Sequence, residues 1–248
     1  MAIPRIETSP QLYARIAGLL YLAIIGLGLF GEAYVRETLV IPGDAAATAR
    51  AITAQPLLWR AGVVGDLLMH VCDLPVILVL YLLLRPVSGS LAVLATLVNL
   101  VQTAVLALNK LSLLAPLVLL GNATWLEAFT TQQREALAYL AINLHGKGFG
   151  IGLVFFGFAC LIRGALIFAS GFLPRALGVL MAVAGACYLA NSFALFLAPA
   201  LASAIFPGIL APAFVAELAL ASWLVAKGVD RPAWDRRMAP AQGAPATA

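Results

Sequence analysis

An all-α, polytopic membrane bundle of six transmembrane helices is the fold this sequence predicts. Three observations carry that prediction. The chain is 63% hydrophobic and only 10% charged, against about 25% charged residues in soluble domains. Its mean hydropathy is +1.01. Apolar runs of about 20 residues, the length needed to cross a bilayer, recur along it and are separated by polar or Pro/Gly-containing stretches.

The spans are Tyr13 to Tyr34, Leu57 to Leu84, Ser90 to Leu113, Gly148 to Phe168, Arg175 to Leu197 and Gly208 to Ala226. Residues 1–12 form a polar N-terminal segment; the first span is too long for the core of a signal peptide and is retained as a helix. Residues 13–227 make the transmembrane domain. Residues 228–248, with Pro232, Pro240, Gly243 and Pro245, show no apolar periodicity and predict a mobile cytoplasmic tail. Cys72, Cys160 and Cys187 all lie inside apolar spans with no CxxC pair, as expected of free thiols packed as small hydrophobes.

Two outer loops are long enough to hold short interfacial helices. In the first, the turn Pro42-Gly43-Asp44 ends in an N-cap residue before the alanine-rich Ala45 to Ala54, a candidate lid. In the second, Thr130 to Gln133 reads as a cap before an amphipathic stretch, Arg134 to Asn143, that leads into the fourth span.

Arginine and lysine set the orientation. Arg5, Arg15, Arg85, Arg163, Arg175, Lys227, Arg231, Arg236 and Arg237 fall on one side, and Arg36, Arg50, Arg60, Lys110, Arg134 and Lys147 on the other. These nine and six make up the chain's 15 basic residues. The bias puts both termini in the cytoplasm. It also accounts for the formal net charge of +4 without a nucleic-acid partner.

The second span carries the main functional signal. Asp66, His70 and Asp73 are spaced by four and three residues, so they share one helix face within about 60° of arc. Each ionisable group near the bilayer centre costs roughly 2.5 to 3.5 kcal/mol on the mildest insertion scale, so three on one stripe point to a site inside the bundle. Measured from span midpoints, Asn99, Gln102 and Glu217 share the depth of His70 and Asp73, while Asp66 and Asn191 sit one or two turns outward. On the third span, Thr96, Asn99, Thr103 and Lys110 form a polar stripe flanked by Gln102 and Asn109. Lys110 or Arg60 is the expected partner for a buried carboxylate. Pro75 frees the carbonyl of Val71 between His70 and Asp73.

A second candidate is His145-Gly146-Lys147-Gly148-Phe149-Gly150 at the expected start of the fourth span, where glycine amides and Lys147 could hold an anionic head group. It lacks the GxxxxGK[ST] order of a phosphate loop. Gly150, Gly157 and Gly164 recur at seven-residue spacing, which predicts close helix packing.

The runs Ala14-Arg-Ile-Ala-Gly-Leu-Leu-Tyr-Leu, Ile41-Pro-Gly-Asp-Ala-Ala-Ala-Thr-Ala, Asp66-Leu-Leu to Cys72-Asp73, Leu144-His-Gly with Gly152-Leu-Val-Phe-Phe-Gly, and Ser170-Gly-Phe-Leu-Pro-Arg-Ala-Leu-Gly-Val-Leu resemble a bacterial family of six-helix integral membrane proteins catalogued as a domain of unknown function. The resemblance extends from about Tyr13 to Lys227. It implies the six-helix architecture and a bacterial inner-membrane address, and it carries no activity, substrate or cofactor.

The residues leave three functions open. In the first, Asp66, His70, Asp73, Asn99, Gln102, Asn191 and Glu217 line a cavity that binds or transports a small solute or lipid-like molecule, with proton coupling, and Lys110, His145 and Lys147 guard its mouth. In the second, Asp66, His70 and Asp73 ligate a divalent metal such as zinc in a membrane-embedded hydrolase, with Glu217 as general base. In the third, the chain is an accessory subunit of a membrane complex. The bilayer is a partner in all three, and the oligomeric state is not encoded in any motif.

Overall fold

A computed structural model describes residues 6–7 and 9–238, and six of its helices are long and apolar enough to cross a membrane. The first span, Pro10–Leu39, consists of α1 (Pro10–Leu29), a π-helical segment (Phe30–Arg36) and one closing turn, α2 (Glu37–Leu39). A surface helix, α3 (Ala45–Ala54), precedes the second span, α4 (Pro56–Leu84). The third span is built from α5 (Gly89–Asn109) and α6 (Leu111–Leu119), which break at Lys110. The fourth is one 40-residue helix, α7 (Thr131–Ser170). The fifth is α8 (Arg175–Leu197), followed by the short α9 (Pro199–Ile205). A 3-10 turn (Gly208–Leu210) leads into α10 (Ala211–Ala226), which completes the sixth span, and α11 (Arg231–Met238) follows.

Local chemistry fixes several of these ends. Asp44 caps α3 by accepting from the Ala47 amide at 2.8 Å. At α7, Thr130 and Gln133 form a reciprocal capping box. Gly171 ends α7 in the left-handed conformation at φ 76°, which costs glycine nothing.

The six spans close into a ring. α1 packs on α4, α4 on α5, α5 on α7, α7 on α8, α8 on α10, and α10 back on α1. Because the chain reverses at each crossing, every neighbour in the ring is antiparallel. Glycines set the closest seam, between α7 and α8. A Cβ on Gly164 would come within 2.8 Å of the Gly178 carbonyl and the Ala182 amide, and one on Gly185 would come within 2.6 Å of the Gly157 carbonyl. The seven-residue glycine rhythm is therefore a packing device, as its spacing predicts.

Both ends of the ring are plugged by apolar side chains. At the end away from the chain termini, called the outer end below, Val35, Leu39, Ile52, Trp59, Val63 and Leu113 cluster, and the Trp59 indole donates to the Leu113 carbonyl at 2.7 Å. Ile52 comes from α3, so the surface helix contributes directly to the plug. At the inner end Phe172 meets Trp234 edge-on at 5.1 Å, and Asp230 donates its amide to the Phe172 carbonyl.

The contact between Phe172 and Trp234 corrects the expectation of an unstructured tail from 228 onward. Over Arg231–Met238 the chain is helical, and Trp234 is fully buried under the bundle. One aromatic anchor on a short helix outweighs the polar composition around it. Residues 239–248 lie outside the described residues.

The fourth span also differs from expectation. It begins at Thr131 rather than Gly148, so the segment from His145 to Gly150 lies inside a continuous helix. Its amides are engaged in the helix, and the anionic-head-group reading of that glycine run is withdrawn.

Candidate functional site

Along α4 between Val64 and Leu78 the exposed side chains are apolar, namely Val64, Leu67, Leu68, Val71, Leu74 and Leu78, while Asp66 and His70 are buried. The 3.6-residue period thus turns Asp66, His70 and Asp73 toward neighbouring helices. The structure divides them between two layers, spaced by about 10 Å from Asp66 to Asp73 along the helix axis.

The outer layer is built from charges. Arg36 grips Asp66 with a two-pronged contact, Nη1 to Oδ2 at 2.8 Å and Nη2 to Oδ1 at 3.3 Å. Lys110 Nζ reaches the same Oδ2 at 3.1 Å and stands 3.2 Å from His145 Nε2. Lysine has only donors, so His145 Nε2 is the acceptor there. Arg36 Nε also meets the exposed Glu32 carboxylate at 2.5 Å, which links this buried centre to the surface. The approach depends on Gly31: any Cβ there would collide with the Asp66 carboxylate. The π-helical turn re-aims the end of the first span and points Arg36 inward, a use of π-segments common at functional sites.

The inner layer is built from hydroxyls and amides around two acids. Asp73 accepts from the Thr103 hydroxyl and from Asn99 Nδ2 at 3.3 Å, and Asn99 Nδ2 also donates to Gln102 Oε1 at 2.6 Å. Across the ring, Glu217 accepts from the Tyr21 hydroxyl at 3.1 Å and from the Tyr188 hydroxyl. Arg163 is 4% exposed, and its Nη2 has no hydrogen-bond partner among the described residues. Among the described residues no ion pair joins it to Asp73 or Glu217.

His70 stands between the layers. It is buried, and its Nε2 has no partner among the described residues; Asn99 Oδ1 is likewise unpaired.

Several sequence expectations need correction. Lys110 and His145 are buried members of the outer layer rather than guards of its mouth, because the helix break at Lys110 turns its side chain inward. Lys147 is exposed and takes no part. Asp66 pairs with Arg36 and Lys110, not with Arg60. Of the residues expected to line one cavity, Asp73, Asn99 and Gln102 bond to one another, Asp66 is held by Arg36 and Lys110 and Glu217 by Tyr21 and Tyr188, and no hydrogen bond joins Asn191 to any of them among the described residues. The metal reading loses its donor set. Among the described residues no three His, Cys, Asp or Glu side chains are placed to share an ion, since Asp66 and Asp73 are held by different partners.

Sequence reasoning missed Arg36, Arg163, Tyr21, Tyr188 and Gly31. Arg36 lay beyond the assumed end of the first span, and Arg163 was assigned to the cytoplasmic boundary by charge counting. The Glu32–Arg36 spacing of four was the available signal for the first, and an arginine inside Cys160-Leu-Ile-Arg-Gly-Ala-Leu-Ile for the second.

The fold and the buried polar layers define a multi-pass membrane protein with an ionisable core. The chain belongs to the family described as Domain of unknown function (DUF4386), whose model matches residues 16–228. It is also similar to an uncharacterized protein of Archaeoglobus fulgidus, at 27% identity over 168 residues, covering 67% of this chain and 83% of the relative. That relative is archaeal, so a bacterial membrane does not follow from the resemblance. No solved structure matches the chain.

Proposed function

We propose that the protein binds a small polar solute within its helix ring and moves it in step with a proton, as a transporter of a cytoplasmic membrane with both termini in the cytoplasm. The observation that carries this reading is His70, a buried imidazole with an unpaired Nε2 held on one helix face between Asp66 and Asp73. A neutral imidazole has one donor and one acceptor nitrogen, so it can take a proton on one side and give one up on the other. A buried polar atom without a partner costs about 1 to 3 kcal/mol, a cost that a bound solute or proton carrier would relieve. The two apolar plugs support an occluded state closed at both ends, the form a carrier takes between outward and inward opening.

The test uses the purified protein in liposomes loaded with the pH dye pyranine and challenged with a panel of small carboxylates, amines and amides. At least one solute should drive a protein-dependent change of internal pH, and His70→Gln should abolish it while keeping the melting temperature. A panel in which no solute moves protons, or a His70→Gln variant as active as wild type, contradicts the reading.

A further inference from the structure

A cleft lies away from the polar core, at the outer end of the ring, where the surface helix α3 faces the end of the third span and the start of the fourth. It encloses about 410 Å³. α3 presents Arg50 and Thr53 to it, and α7 presents Thr131, Arg134 and Glu135, residues spaced by three and four that share one helix face. Neither arginine nor Glu135 is in an ion pair among the described residues. Arg134 gives Nη1 to the Gly121 carbonyl at 3.3 Å, but its buried Nε has no partner. The capping box at Thr130 and Gln133 serves the helix start, so the ligand chemistry of the cleft belongs to the side chains.

The level of the cleft is that of the membrane interface. The third span remains apolar to its end, with Val118 exposed and Leu120 forming part of the cleft wall. Immediately beyond it Trp125 and Phe129 are exposed, the residue types that anchor proteins at lipid head groups. Two cations and one carboxylate at this depth match a zwitterion rather than a simple anion. A phosphate would lie between Arg50 and Arg134, and an ammonium beside it would meet Glu135.

We propose that this cleft binds a phosphoethanolamine group, a phosphate ester carrying a primary ammonium, with Arg50 and Arg134 on the phosphate and Glu135 on the ammonium. The site is separate from the solute path proposed above, and its test does not depend on transport. The trimethylated ammonium of choline has no N–H to donate to Glu135, and glycerol in its place has no charge, so the cleft discriminates among head groups.

Native mass spectrometry of the detergent-purified protein with phosphatidylethanolamine, phosphatidylcholine or phosphatidylglycerol reads this directly, and soluble phosphoethanolamine tests the head group without the lipid. Phosphatidylethanolamine should be retained about tenfold more than phosphatidylcholine, the worth of one charge-assisted hydrogen bond. Arg50→Gln should reduce retention, as should Arg134→Gln, and Glu135→Gln should erase the preference over phosphatidylglycerol. Retention of the lipid but not of soluble phosphoethanolamine assigns the site to the bilayer; the reverse assigns it to a water-soluble ester. Equal retention of all three lipids, a preference for phosphatidylglycerol, or undiminished binding by Arg50→Gln overturns the proposal. Arg50 is exposed and makes no side-chain hydrogen bond or ion pair among the described residues, so that variant remains informative if Arg134→Gln fails to fold.

Discussion

The outer and inner polar layers of the ring bury similar residues in opposite ways. Around Asp66 the partners are Arg36 and Lys110, which only donate. Around Asp73 and Glu217 they are Thr103, Asn99, Tyr21 and Tyr188, whose hydroxyls and amide can also accept. A donor-only shell tolerates one charge state of its carboxylate. A shell of hydroxyls can reverse the direction of a hydrogen bond when a proton arrives or leaves. Under the function proposed above, clamping falls to the outer layer and proton handling to the inner one, with His70 between them.

The largest predicted effect tests the clamp. Asp66→Asn leaves Arg36 and Lys110 buried against a neutral amide and should cost about 3 to 5 kcal/mol, the range for breaking a buried ion pair from one side. Denaturant titration in detergent measures it. Gly31→Ala attacks the same layer by sterics, forcing Asp66 away from its cations, and should cost about 1 to 3 kcal/mol, as overpacked sites do. A Gly31→Ala protein with wild-type stability would mean that the close fit between the π-segment and Asp66 contributes nothing.

In the inner layer the sign reverses. Arg163→Met removes a buried cation that has no partner for its Nη2, and should leave stability unchanged or raise it by up to about 2 kcal/mol. A marked loss would show that Arg163 is paired with Asp73 or Glu217 in the working protein. The smallest effect is expected for Asp73→Asn, an isostere that can still accept from Thr103, at under about 1 kcal/mol.

Much of the scaffold was readable from the chain because it rests on local rules. Span length and apolar content defined six helices, Asp44 and the Thr130–Gln133 box announced their helix starts, and the spacing of Asp66, His70 and Asp73 placed them on one buried face. The division into two layers was not readable, because it depends on which helix lies beside which in the ring. Tyr21 and Tyr188 looked like ordinary span residues until the neighbourhood of α1, α8 and α10 brought both hydroxyls to Glu217. Arg36 was hidden by the π-turn, since no 3.6-residue template carries the first span past Tyr34 with the right phase. Trp234 had a visible cue, a lone tryptophan in a charged stretch, but its pocket beside Phe172 exists only in the folded protein.

The division of labour is tested most directly by assaying one variant for stability and proton movement together. In pyranine-loaded proteoliposomes, Asp73→Asn should keep the wild-type melting temperature and lose solute-driven pH change, because in the proposed function the inner acid handles the proton without holding the fold. An Asp73→Asn protein that moves protons as wild type does, or one that unfolds as readily as Asp66→Asn, would contradict the account.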